Sequence, residues 1–313
     1  MAAKKSQPML DHFIMNNCKI ANELRKYRDL AGCLNLVSLS GEQRGDPRKA
    51  PDYAEYYISR ELDGLDMVAA NAAYTLQSVS PPQAEFQAEL IARIMAGNLG
   101  WRILEKRRHE LEARLQLLAE TRIVILAEHD HQVEQDLYEG AFLPVTWTGG
   151  SGHLSFRFTG EAMPLYQYAL HHRHLITVPF QALLDDDAVR HNNSDRLLLL
   201  RHFLLQEIMV LLNSKNRVKT QKICLLKQDR EGRELGLLWR LDLLGDTPER
   251  QPKDPAALAR KVQATLEQLL ASWQRRGVLG PLHYQMLGPA EGWGVRLFSE
   301  RGKIRTPAAA DSI

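Results

Sequence analysis

The chain has 313 residues, 44% of them apolar and 25% charged, with a formal net charge of +2. This length suits about two domains of roughly 100–200 residues, each able to bury a hydrophobic core, and the composition is that of a globular protein. The near-balanced charge excludes attraction of a polyanion by the molecule as a whole, so any such attraction has to be local.

Residues 1–40 read as helical, with apolar residues at Leu10, Ile14, Ile20, Leu24 and Leu30. The polar stretch GEQRGDPRKAPD, 41–52, reads as a loop. A second helix-like piece runs from Tyr53 to Leu65, MVAANAAYTLQSV is ambiguous, and Pro81-Pro82 punctuates the chain. FQAELIARIM is a short apolar helix with Gly97 placed to end it. A long helix from about Leu99 follows, whose Leu104, Leu111, Leu115 and Leu118 step by 7, 4 and 3 along one helical face. TRIVIL is rich in β-branched residues and predicts a strand. After the polar AEHDHQVEQDLYEG come FLPVTW, a turn at Gly149-Gly150-Ser151-Gly152, and the alternating HLSFRF. Helix, turn, helix, strand, loop, strand, turn, strand is the order of a winged helix, a helix-turn-helix followed by a β-hairpin.

MPLYQYALHHRHL predicts a connector helix, and ITVPFQALLDDD a short strand entering a turn. Ser194-Asp195 caps DRLLLLRHFLLQEIMVLL, which is apolar nearly all round and predicts a buried spine. The basic NSKNRVKTQK leads to ICLL, then GLLWRLDLLG and a Pro-rich break. Asp254 is a good N-cap and Pro255 a good first residue for a helix over 255–276. Its Leu258, Val262, Leu266, Leu269 and Trp273 step by 4, 4, 3 and 4, and Gly277 closes it. LHYQML, the turn GPAEGWG and VRLF form a second hairpin. Both halves place a long helix before two strands joined by a Gly/Pro turn, which reads as a distant tandem repeat.

The expected fold is therefore α+β, mainly α: two tandem winged-helix domains preceded by a helical N-terminal segment. The expected divisions are 1–80 (helical, with the polar loop 41–52), 81–184 (first winged helix and connector), 185–305 (second winged helix) and a flexible tail, 306–313.

A recognition helix buries one face and presents another to DNA, with basic residues reaching phosphates and guanine edges. Candidate DNA-binding residues in the first half are Arg102, Lys106, Arg107, Arg108 and Arg114 on the long helix, with Arg122 and Arg157 on strands read as the wing. In the second half they are Arg260 and Lys261 on the helix, with Lys215, Arg217, Lys219 and Lys222 before it. The same residues also fit an ordinary solvated face, since Glu105, Glu110 and Glu112 stand within pairing distance of Lys106, Arg108 or Arg114 along the helix.

Several segments resemble the replication-initiator proteins of plasmids and related mobile elements, which have tandem winged-helix domains. They are LQLLAETRIVIL, YEGAFLP at 138–144, PLYQYALHHRHLITVPFQALL at 164–184 and NNSDRLLLLRHFLLQEIMVLLNSKNR at 192–217. The likeness spans roughly residues 86–300 as a pattern of apolar positions, and residues 1–80 match nothing placed. It implies a sequence-specific double-stranded DNA-binding protein that binds origin repeats through basic recognition helices and recruits host replication proteins. It also implies dimerisation and repression of its own promoter. In that family the DNA contacts lie on the recognition helices, which here gives Arg102, Lys106, Arg107 and Arg108, then Arg260 and Lys261. The second helix is less basic at its front than the first. A winged-helix transcriptional regulator, or a module that binds only protein in a condensin-like or defence assembly, remains an alternative.

Other chemistries lack their motifs. Cys18, Cys33 and Cys224 make no CxxC pair, so neither a disulfide framework nor a zinc ribbon is indicated. His129 and His131 flank Asp130 in a polar stretch rather than an apolar strand residue, and His171, His172 and His174 end a helix, where His suits the dipole. Asp185-Asp186-Asp187 cannot all face one ion on a regular element. No GxxxxGK[ST], no GxGxxG after a strand and no GxSxG elbow around Ser151 or Ser155 is present. No apolar run approaches 18 residues, and MAAKKSQPMLDHF lacks the apolar core of a secretory signal. The expectation is a cytoplasmic, non-enzymatic protein with no metal, cofactor or membrane partner.

Overall fold

A computed structural model of the chain describes residues 10–27, 29–38, 53–81, 83–128, 136–150, 153–183, 194–213, 220–228, 236–241, 243–244, 252–277 and 282–299. Its elements begin with β1 (His12–Asn16), α1 (Lys19–Lys26), β2 (Leu34–Ser38), β3 (Tyr53–Ile58), α2 (Gly64–Val79), β4 (Glu85–Gln87), α3 (Glu89–Ala96) and α4 (Glu105–Glu120). There follow β5 (Arg122–Glu128), β6 (Asp136–Ala141), β7 (Val145–Gly150), β8 (His153–Phe158), α5 (Pro164–His171) and β9 (Leu175–Pro179). The last are α6 (Asp195–Asn213), β10 (Thr220–Cys224), α7 (Leu237–Arg240), α8 (Pro255–Arg276), β11 (Leu282–Leu287) and β12 (Gly294–Ser299). The result is a mixed α+β protein of two compact units, Met1–Asp185 and Asp186–Ile313.

The N-terminal region is not the helical preface that its apolar spacing predicts. Among its described residues α1 and α2 are the helices, while 12–16, 34–38 and 53–58 are strands. Pairing with distant segments decides this. β1 lies antiparallel to β9, with Phe13 opposite Val178 and Met15 opposite Ile176. β3 is held between β2 and β5 in the sheet order β2-β3-β5-β6. Ala54, Tyr56 and Ile58 are fully buried while Tyr57 between them is exposed, the alternation of a strand with one solvated face. Through β1, β2 and β3 this region is thus woven into the first unit, in the β1–β9 pair and in the four-stranded sheet.

α2 is the spine of that unit. Asp63 and Asp66 close a reciprocal capping box at its start. Met67, Ala69, Ala70, Ala72, Ala73 and Leu76 are fully buried, and the small side chains let β1, α3 and α4 pack closely around it. A third sheet of this unit has the order β4-β8-β7. β5 and β6 intervene between α4 and the β7–β8 hairpin and pair within the four-stranded sheet. The strand after the long helix therefore does not lead into the β7–β8 hairpin, and Arg122 lies outside that hairpin.

In the second unit α6 and α8 enclose a core of Leu204, Leu205, Ile208, Leu266, Leu270 and Trp273 beside the sheet β10-β12-β11. Asp254 caps α8 by accepting from the Ala257 amide at 2.9 Å, and Gly277 closes it in the left-handed conformation. The two units share one plan. α2, β4, α3, α4, β7 and β8 in the first correspond in order to α6, β10, α7, α8, β11 and β12 in the second. In each, the sheet runs first strand, third strand, second strand.

Candidate nucleic-acid interface

The α3–α4 turn is the best-defined part of the candidate surface. Gly97 ends α3 at φ +67°, and a Cβ there would lie 2.1 Å from the Leu183 carbonyl oxygen, so no other residue fits without displacement. Asn98 then turns the chain: its side chain accepts from the Gly100 amide at 3.0 Å and its carbonyl from the Trp101 amide at 3.1 Å. Arg93 on α3 donates to the Trp101 carbonyl at 3.1 Å and to Glu89 at 2.9 Å. The long helix consequently starts at Glu105, not Leu99, and Arg102 stands on the turn before it.

Among the predicted residues of the first unit, the structure separates outward cations from structural ones. Arg102 is exposed, and Lys106 is 91% exposed with Glu110 at 3.9 Å. Arg107 is half-buried. Arg108 turns inward: its guanidinium lies 3.8 Å from Glu89, 3.6 Å from Glu105 and 3.9 Å from Glu112, and only 16% of the side chain is exposed. Arg114 reaches Asp63 and Asp66, both at 2.6 Å, and locks α4 onto the start of α2. Burial opposes charge on Arg114, but the two carboxylates more than offset it and raise its pKa. Burial, then the neighbouring Asp63, holds Asp66 above the ordinary carboxylate range. Arg108 and Arg114, both DNA-binding candidates, brace α4 against α3 and the start of α2 through these carboxylates. Their decisive partners Glu89, Asp63 and Asp66 lie 19 to 51 positions away in sequence; Glu105 and Glu112 alone were legible at helical spacing.

α4 is also tied to the hairpin, since Glu112 accepts from the Leu154 amide at 3.3 Å. On the hairpin Arg157 stands directly across from Glu85 and pairs with it at 2.9 Å, half exposed. Arg122 is exposed on β5, outside this group.

In the second unit Lys222 and Arg296 face each other across β10 and β12. Glu291 in the hairpin turn binds both at 3.0 Å, neutralising a like-charge pair. Arg260 is 59% exposed with Asp254 at 3.9 Å, and Lys261 is exposed. α8 carries four basic residues against one carboxylate, whereas α4 carries four against four. Over their full lengths α8, not α4, holds the excess positive charge, although the front of α8 carries fewer basic residues than the front of α4. Lys215, Arg217 and Lys219 lie outside the described residues, as do His129, His131 and Asp185–Asp187. Among the described residues no group of three or more His, Cys, Asp or Glu is arranged to hold a metal ion, and no helix is long and apolar enough to cross a membrane.

No protein-family model and no curated protein matches the chain. Among solved structures it is similar to a crystal structure of domains 2 and 3 of RctB, at 11% identity and a TM-score of 0.39, covering 90% of this chain and 97% of that one. A second structure of RctB domains 2–3 matches at 10% identity and a TM-score of 0.38, with 85% and 89% covered. At these scores the likeness carries no weight for function.

Proposed function

We propose that the chain is a sequence-specific duplex-DNA-binding protein built from two winged helices, each presenting its last helix to a groove. The observation that supports this best is the repeated plan: helix, strand, helix, helix, strand, strand, with the third strand central in the sheet, in both units. In this reading α4 and α8 are the recognition helices and β7–β8 and β11–β12 the wings. Arg102, Lys106, Arg107, Arg260 and Lys261 contact DNA, and Arg157 and Lys222 flank it from the sheets. Binding, not catalysis, is the activity proposed. The further step, initiation of replication of a plasmid or related mobile element, rests on the sequence resemblance of residues 86–300, and with it go host replication proteins and a second copy of the chain as partners.

A gel-shift titration of the full chain against duplex from around its gene, at two salt concentrations, tests the binding. Affinity is expected to fall with salt by a log–log slope of about 0.9 per phosphate contact and to survive excess unrelated duplex. Salt-insensitive or absent binding refutes it in favour of a protein-only module. Replication of a marker plasmid carrying the flanking DNA, dependent on this chain, tests initiation; promoter repression without replication makes it a regulator.

A further inference from the structure

Leu104 is the most exposed large apolar side chain among the described residues, at 76%. It holds the N-cap position of α4, with extended backbone angles and no side-chain capping hydrogen bond. The corresponding position of α8 is Asp254, which caps its helix. At position 104 the chain thus forgoes both the capping acceptor that favours a helix start and the burial that favours a leucine. Neither choice serves folding. The turn that leads to it is ordered by hydrogen bonds of Arg93, Asn98 and Trp101. Two exposed cations flank it in sequence: Arg102, which makes no ion pair among the described residues, and Lys106, 91% exposed with Glu110 at 3.9 Å.

An apolar side chain at the leading end of a helix, set between two outward cations, matches a particular feature of duplex DNA. The major groove carries one apolar group on base edges, the 5-methyl of thymine, between two rows of phosphates. Residues at the start of a recognition helix are those that reach base edges. We infer that Leu104 is a specificity-determining residue that packs on a thymine methyl, while Arg102 and Lys106 hold the flanking phosphates. This inference rests on the proposed winged-helix binding.

The full chain is first used to select bound sequences from a random duplex pool. The selected duplex is then synthesised with deoxyuridine replacing each thymine in turn, which removes only the methyl. One such replacement is expected to weaken the wild type by about fourfold, the factor for one methyl-sized group. Leu104→Ala should bind the thymine duplex more weakly by a similar factor and be indifferent to that replacement. Its thermal midpoint should be unchanged, since the side chain is exposed. A wild type insensitive to every replacement, or a Leu104→Ala variant as sensitive as the wild type, overturns the inference while leaving DNA binding intact. If Leu104→Ala changes binding to neither duplex, the residue belongs to a protein contact instead. A wild type that selects no sequence and shows no salt-dependent binding overturns the binding proposal together with this one.

Discussion

Single residues in the first unit make its stability sensitive to alkali. Cys18 is fully buried, starts α1 by accepting from the Ala21 amide at 3.3 Å, and burial pushes its thiol from 9.0 up to about 12. Burial raises Tyr166, its hydroxyl on Asn71 at 2.7 Å, well above the ordinary tyrosine value, and pushes Tyr138 up to about 12. A raised folded-state pKa means that the unfolded chain releases its proton first, so the stabilisation is complete below pH 9 and is lost as pH rises toward 12. Thermal midpoints are therefore expected to hold steady to about pH 9 and then drop, and Cys18→Ser, which can keep the cap, should flatten the drop between pH 9 and 10. A thiol reagent at pH 8 should modify the exposed Cys33 rapidly and Cys18 only on unfolding. Basic residues divide as sharply. Arg114→Ala is expected to lower stability by about 1.5–3 kcal/mol, the range for hydrogen bonds to charged groups, and Arg102→Ala by less than about 0.5 kcal/mol, as for an exposed surface position. Urea titration separates them, and equal losses would contradict the division into brace and outward cation.

Elements depend on contacts that differ in how far they reach along the chain. The α3–α4 turn is fixed locally, and Gly97→Ala should destabilise the unit by more than about 1 kcal/mol, because the left-handed backbone and the Leu183 carbonyl both resist a Cβ. Leu115→Ala, at 1% exposure on the inner face of α4, should cost about 2–5 kcal/mol. Leu36→Lys, on the open face of β2 at 63% exposure, should change stability by less than about 0.5 kcal/mol. Chemical denaturation of the three variants orders them. The locally determined elements were the ones legible in the sequence. Gly97, Gly277, Asp254 and the steps of α4 and α8 encode ends and faces within a turn or two. β6 was not legible, because DLYEGA buries only Tyr138 deeply and exists through its hydrogen bonds to β5. β3 offered a period-two signal in Ala54, Tyr56 and Ile58, masked by the helix-like spacing of the neighbouring aromatics. The same distinction governs the candidate interface: exposed Arg102, Lys106, Arg260 and Lys261 could be picked from composition, whereas the inward turn of Arg114 required partners about fifty positions away.

Across the whole molecule the two repeats distribute charge unequally, and this assigns them different expected shares of DNA binding. α4 balances its basic residues with carboxylates and spends two of them as braces, while α8 keeps Arg260 and Lys261 outward with a single carboxylate, Glu267, along its length. Under the proposed binding, sequence-independent attraction should come chiefly from the second unit, and discrimination among sequences from the first, where Leu104 stands at the start of α4. Arg260→Ala combined with Lys261→Ala is expected to weaken binding similarly on all duplexes and to reduce the salt slope by about 0.9 for each phosphate contact removed. Arg102→Ala, which removes one phosphate contact, should weaken binding about equally on selected and unrelated duplexes and lower the salt slope by about 0.9. Binding isotherms of both variants on selected and scrambled duplex, at three or more salt concentrations, measure both quantities. A double variant with an unaltered salt slope would remove α8 from the interface and leave the excess charge of that helix as solvated surface.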